Sequence, residues 1–149
     1  MTSNDIEQRQ QALAILAKSP LEKIEEHWLP LQIQSNYTLL KKPEVAMVMV
    51  KAQSNSEGQA FNMGEMTVTH CVLRLDNHCI GYGYIAGRCK NKALLVALID
   101  AHQQSREYNQ TIIQSVITPL KQLLIDKQQQ QACKVQKTKV DFFTMVRGE

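Results

Sequence analysis

Two spacings of apolar residues divide the chain. At its start the period is helical: Ile6, Leu13 and Leu16 fall on one face, and Asn4 with Glu7 forms a capping box ahead of them. A second helix is expected from Ser19, a good N-cap, with Pro20 at the first helical position and Glu22 returning a bond to the cap. Leu21, Ile24 and Trp28 would share its buried face, and Pro30 should stop it.

From Tyr37 to Ala86 the period changes to two. Val45, Met47 and Met49 alternate with Ala46, Val48 and Val50, so this run is apolar on both faces and predicts a central strand. Residues 53–58 have loop composition, Phe61 and Met63 mark a following strand, and residues 66–75 another. Asp76-Asn77 suits a two-residue hairpin turn, because both residues tolerate positive φ, and residues 78–86 return as the partner. The result is an antiparallel meander over about residues 37–86, with about four strands.

After Gly87 the helical spacing comes back. Residues 93–100 are apolar on nearly every side before Asp100, which predicts the most buried helix. Thr118-Pro119 divides a helix near residues 110–117 from a longer one at 120–136, and the four-glutamine run at 128–131 reads as a solvated helix face. Helices, a meander, then helices make an α+β chain, expected to form one domain over residues 1–149 with an apolar, docked tail.

Composition adds limits. The chain is 44% hydrophobic and 21% charged, a globular profile, and its net charge of +3 is mild. No block of like charges or basic stripe interleaved with aromatics points to nucleic acid. The longest apolar run, residues 93–99, is too short to span a bilayer, and the polar, acidic start is unlike a secretory signal. Four cysteines in no disulfide framework fit a reducing cytoplasm.

The candidate chemistry is thin. GYGYIA, residues 81–86, matches a permissive dinucleotide fingerprint, but its glycines lie within a strand and do not open a helix. Glycine between tyrosines there points to a close backbone approach or a bulge. The pairs His70-Cys71 and His78-Cys79 suggest a metal. With Asp76-Asn77 as the turn, however, His70 and Cys79 share a face about 13 Å apart, at about 3.3 Å per residue, too far for zinc. Arg88, Lys90 and Lys92 sit where a helix begins, a place that suits phosphate as well as plain solvation. Of the three phenylalanines, Phe142 and Phe143 lie at the end, close to Met145 and Arg147.

That end, VDFFTMVRGE at residues 140–149, resembles the C-terminal signature of the PhnG family, a subunit of the bacterial carbon–phosphorus lyase system. The resemblance continues inward through GEMTVTHCVLRL at 64–75, GYGYIAGR at 81–88, ALIDA at 97–101 and ITPL at 117–120. Residues 1–60 are the least distinctive, and neither Gly83 nor the His-Cys pairs match a family feature.

The resemblance implies a part in using phosphonates as a phosphorus source. The family's subunits act together on ATP and an alkylphosphonate. The phosphonate oxygen displaces adenine at the ribose C1′, giving a ribose 1-alkylphosphonate 5-triphosphate, and a separate radical iron–sulfur subunit later breaks the C–P bond. Displacing adenine calls for a stabilised oxocarbenium-like carbon, a proton for the base and a cationic cradle for the triphosphate. This sequence offers no such set, and the family places that chemistry in another subunit. The chain is thus expected to be an assisting, non-catalytic subunit of a cytoplasmic hetero-oligomer with members of the PhnI, PhnH, PhnJ and PhnL families. ATP, accompanied by Mg2+, would be the substrate of the complex, with no cofactor on this chain. Phe142, Phe143, Met145 and Arg147 are the expected partner contacts, and Arg88 with Lys90 the candidate phosphate contacts. Phe142, Phe143 and Met145 would anchor the tail at a subunit boundary, in the domain's own core, or, as an extended segment with alternating faces, in both. Two alternatives stand beside this reading: a self-sufficient phosphonate ribosyl-triphosphate transferase or nucleosidase using Arg88 and Arg147, and a small nucleic-acid-binding module.

Overall fold

The computed structural model describes residues 2–34, 36–53 and 58–147, with side chains described as far as residue 135. Helix α1 (Ser3–Lys18) starts two residues before the expected box: Thr2 is the N-cap, and its N–H and hydroxyl donate to the Asp5 carboxylate at 3.1 and 2.8 Å. Its buried face is carried by Ala12 and Leu16, while Ile6 is exposed. Ser19 does not cap the next helix. Its hydroxyl donates back to Ile15 O at 2.7 Å, and the Lys92 ammonium donates to Ala17 O at 2.9 Å. Ile15 O also accepts Ser19 N–H at 3.1 Å, so the Lys92 bond is the one that serves a last-turn carbonyl of α1 beyond the reach of the helix's own N–H groups. Helix α2 (Leu21–Trp28) therefore begins after Pro20, buries Ile24 and Trp28, and ends in a short 3-10 turn containing Pro30.

The sheet is antiparallel, in the order β1 (Tyr37–Gln53), β2 (Ala60–Leu75), β3 (Ile80–Ala86). Two expectations change here. The segments around 61–63 and 66–75 are one strand, interrupted only by a register shift facing Val50 and Lys51, so three strands replace four. The doubly apolar β1 is an edge and not a centre.

The β2–β3 turn holds one residue more than expected. His78 N–H donates to Leu75 O and Leu75 N–H to Cys79 O, both at 2.9 Å, and His78 takes a left-handed φ of 67°. The extra residue moves the register by one, so His70 faces Tyr84 and Cys71 faces Gly83. Because successive residues alternate faces, His70 and Cys79 lie on opposite sides of the sheet.

Helix α3 (Lys90–Gln103) lies directly on β3. A Cβ built on Gly81 would come 2.0 Å from Ala97 O, and one on Gly83 2.0 Å from Ala93 O. The two glycines and the small residues Ala93, Ala97 and Ala101 thus let helix and strand backbones touch, as the glycine-tyrosine alternation foretold. α3 is indeed the most buried helix, with Ala93, Val96, Ala97, Ile99 and Ala101 in the core. Cys71, Leu73 and Ile85 meet it from the sheet, and Leu16, Ile24, Trp28, Val116 and Leu120 close the other side.

Pro119 does not divide the C-terminal helices. Helix α4 (Asn109–Ile112) passes through a π-helical segment (Ile113–Ile117) into α5 (Thr118–Arg147). The Thr118 hydroxyl donates to Ile113 O at 2.8 Å, and the widened turn accommodates a residue with no N–H to give.

Candidate partner interface

β3 stops opposite Val68, but β2 runs back from there to Ala60 with only β1 beside it. The eight residues 60–67 make a ribbon about 26 Å long, at about 3.3 Å per residue, that projects past the helices. Its exposed side chains are mostly apolar: Met47 (62%), Met49 (60%), Met63 (66%), Phe61 (49%) and Met66 (40%), with Val45 (41%) at its base. Cross-strand pairing places Val45 and Met47 with Thr69 and Thr67 on one face, and Val48 with Met66 on the other. A two-stranded ribbon is barely stable alone in water, and contiguous exposed apolar surface marks an interaction site. Flexible methionines suit such a surface because they adapt to irregular partners. The two-sided apolar pattern that reads as a central strand is therefore an arm, uncovered by any described residue of its own chain.

The opposite edge of the sheet is partly covered from within. Asp100 on α3, fully buried, accepts two bonds from the Arg9 guanidinium, Nε at 2.9 Å and Nη2 at 2.8 Å, and a third from Tyr82 N–H at 3.0 Å. Gln104 donates to Ile80 O at 2.6 Å. Two outward backbone groups of β3 are thus occupied, one by Asp100 of α3 and one by Gln104 at its C-cap. Arg9 also lies over the Tyr82 ring, 5.6 Å from its centroid, and the Asp100 bond raises its pKa. This ion pair ties α1, α3 and β3 together, so the structure gives Asp100 a scaffolding task.

A cleft of about 450 Å³ opens beside it between α1 and the α3–α4 turn, lined by carboxamides with Arg9, Arg106 and Asp5. Gln103 Oε1 is buried there with no hydrogen-bond partner among the described residues. Neighbouring His102 packs between Trp28 and Tyr108, with ring centroids 5.7 and 5.6 Å away, and burial lowers its pKa.

The residues singled out from the sequence are scattered. Arg88 and Lys90 are exposed at the start of α3, whose N-cap Cys89 makes no side-chain capping bond. Lys92, which the sequence groups with them, is committed to Ala17 O, and burial lowers its pKa. Phe142, Phe143, Met145 and Arg147 belong to α5, whose backbone is helical to Arg147, in place of the extended segment expected; their side chains lie outside the described residues. Among the described residues no group of three His, Cys, Asp or Glu side chains is placed to hold a metal, and no helix is long and apolar enough to cross a membrane. Sequence reading missed the arm and the bonds that Asp100 makes. The first was signalled by apolar residues on both faces beside a loop, the second by one acid inside an otherwise apolar helix.

Fold and surface together define a small α+β protein whose most conspicuous feature is an uncovered apolar β-arm. The chain belongs to the PhnG family: the model of "Phosphonate metabolism protein PhnG" matches residues 7–148. It is similar to the alpha-D-ribose 1-methylphosphonate 5-triphosphate synthase subunit PhnG of Rhizobium meliloti (strain 1021), at 31% identity over 150 aligned positions that cover 99% of this chain and 96% of the relative.

Proposed function

We propose that this chain is a non-catalytic subunit of a complex that makes alpha-D-ribose 1-methylphosphonate 5-triphosphate from ATP and methylphosphonate, releasing adenine. The observation that carries the reading is the arm. Its exposed apolar side chains on both faces suit a protein partner, and arms of this kind give stable complexes their buried apolar centre. Family membership and the name of the Rhizobium relative support the reaction. The partners are members of the PhnI, PhnH, PhnJ and PhnL families, in the cytoplasm, with ATP and its Mg2+ held by the complex and no cofactor on this chain. Phe142, Phe143, Met145 and Arg147 form a second proposed contact with the partners. Arg88 and Lys90 are proposed to add positive charge near the triphosphate.

The test is adenine release from ATP plus methylphosphonate, measured for the chain alone and after co-expression with the partner subunits. The lone chain is expected to be inert and the co-expressed complex active. Turnover by the lone chain would transfer the chemistry to this subunit and make Arg88 and Arg147 the residues to replace.

A further inference from the structure

We infer that the outer edge of β1 at residues 45–50 receives an extended strand from the partner subunit, so that the arm is completed as a three-stranded sheet. The inference rests on the reading of this chain as a recruited subunit and specifies how it is held.

Hydrogen bonds of the neighbouring strand fix which backbone groups of β1 face outward. On β2, Thr67 O accepts from Gly87 N–H and Leu75 N–H donates to Cys79 O, so odd-numbered residues of β2 point toward the β3 side. Even-numbered ones then point toward β1. Their partners on β1 are Ala46 facing Val68, Val48 facing Met66 and Val50 facing Gly64, and these are engaged with β2. The N–H and C=O groups of Val45, Met47 and Met49 are left pointing away from the sheet.

Soluble proteins protect such edges with lysines, prolines, bulges or covering side chains. This chain uses those devices elsewhere. Lys41, Lys42 and Pro43 sit at the base of β1 with register shifts on both sides of Lys41, and another shift lies at Val50/Lys51. The β3 edge is covered by Asp100 and Gln104. Residues 45–50, between the irregularities, are the longest stretch of β1 that combines an unbroken register with no charge and no proline. It is also built wholly of Val, Met and Ala, so side chains on both of its faces offer apolar contacts to an added strand. Six uncharged residues of high strand propensity on an open edge are an aggregation hazard when left bare. A partner strand with alternating apolar residues removes that hazard and supplies both backbone and side-chain contacts.

Amide hydrogen exchange on the free chain and on the co-purified complex reads this directly. The Met47 and Met49 amides are expected to exchange fast in the free chain and to slow by about 100-fold or more in the complex. Ala46 and Val48 are protected in both. Met47→Pro, which removes an outward donor while leaving the β1–β2 bonds in place, should lose the partner, whereas Met47→Thr keeps it. Co-elution of the wild-type chain with Met47 and Met49 still exchanging fast overturns the added strand alone and leaves the subunit reading intact. Protection of the same amides in a dimer of the free chain assigns the edge to a second copy and overturns the proposal. Failure of the wild-type chain to elute with any partner overturns the proposed function, and the strand with it.

Discussion

Gly83→Ala should cost this fold far more than one methyl group suggests. The new Cβ would stand 2.0 Å from Ala93 O, 2.9 Å from Ala93 C and 3.2 Å from Ala97 N. All three are backbone atoms of α3, so no rotamer change relieves the clash. The helix must retreat by about 1 Å, and a gap of that size forfeits a quarter to a half of the dispersion energy between the surfaces it separates. Those surfaces include Ala93, Val96 and Ala97 against Cys71 and Ile85, at the centre of the core. Overpacking of this kind costs about 1–3 kcal/mol, and the looser packing beneath the displaced helix brings the expected total to about 2–4 kcal/mol. That is a large share of the about 5–15 kcal/mol available to a typical domain. Urea unfolding followed through Trp28, the single tryptophan and nearly buried, reports it. Tyr84→Thr, one position along on the exposed face, should stay within about 0.5 kcal/mol. Ala93→Gly should not rescue Gly83→Ala, because the obstacle is the carbonyl and not the methyl. A loss under about 0.5 kcal/mol for Gly83→Ala, or rescue by Ala93→Gly, would refute direct contact between helix and strand backbones.

Other expectations follow from the same packing. Asp100→Ala strips the Arg9 guanidinium and Tyr82 N–H of their shared acceptor and should cost about 2–4 kcal/mol by urea unfolding; a loss below about 1 kcal/mol would contradict the scaffolding role. His102 has its pKa lowered by burial, so the unfolded chain takes up a proton first as the pH falls below its ordinary value of 6.5. Stability should therefore drop from that pH downward, and His102→Gln should flatten the dependence; an unchanged slope would contradict it. Arg88→Ala with Lys90→Ala should leave urea unfolding within about 0.5 kcal/mol of wild type while raising the KM of the assembled complex for ATP. An unchanged KM would remove them from the phosphate reading.

The helices and the hairpin return were legible because their apolar spacing reflects burial by the chain itself. The glycines at 81 and 83 were legible because glycine flanked by aromatics in a strand has few other uses. The position of β1 in the sheet was not. A strand covered on both faces by its own domain and an arm awaiting a partner carry the same two-sided apolar pattern, and only the pairing order separates them. The register of β2 on β3 depended on His78 entering the left-handed region, where Asn77 would have served as well by composition. Asp100 was visible as an anomaly in an apolar helix, but several arginines could have answered it, and only tertiary packing selects Arg9.

Whether the arm recruits this subunit is decided by gel filtration of the Met47→Glu, Met49→Glu chain co-expressed with the partner subunits. Both side chains are more than half exposed, so the free chain should unfold within about 0.5 kcal/mol of wild type. This variant is expected to elute alone, while the wild-type chain carries its partners through the column. A variant that folds and still elutes with them would show that the arm does not hold the complex together.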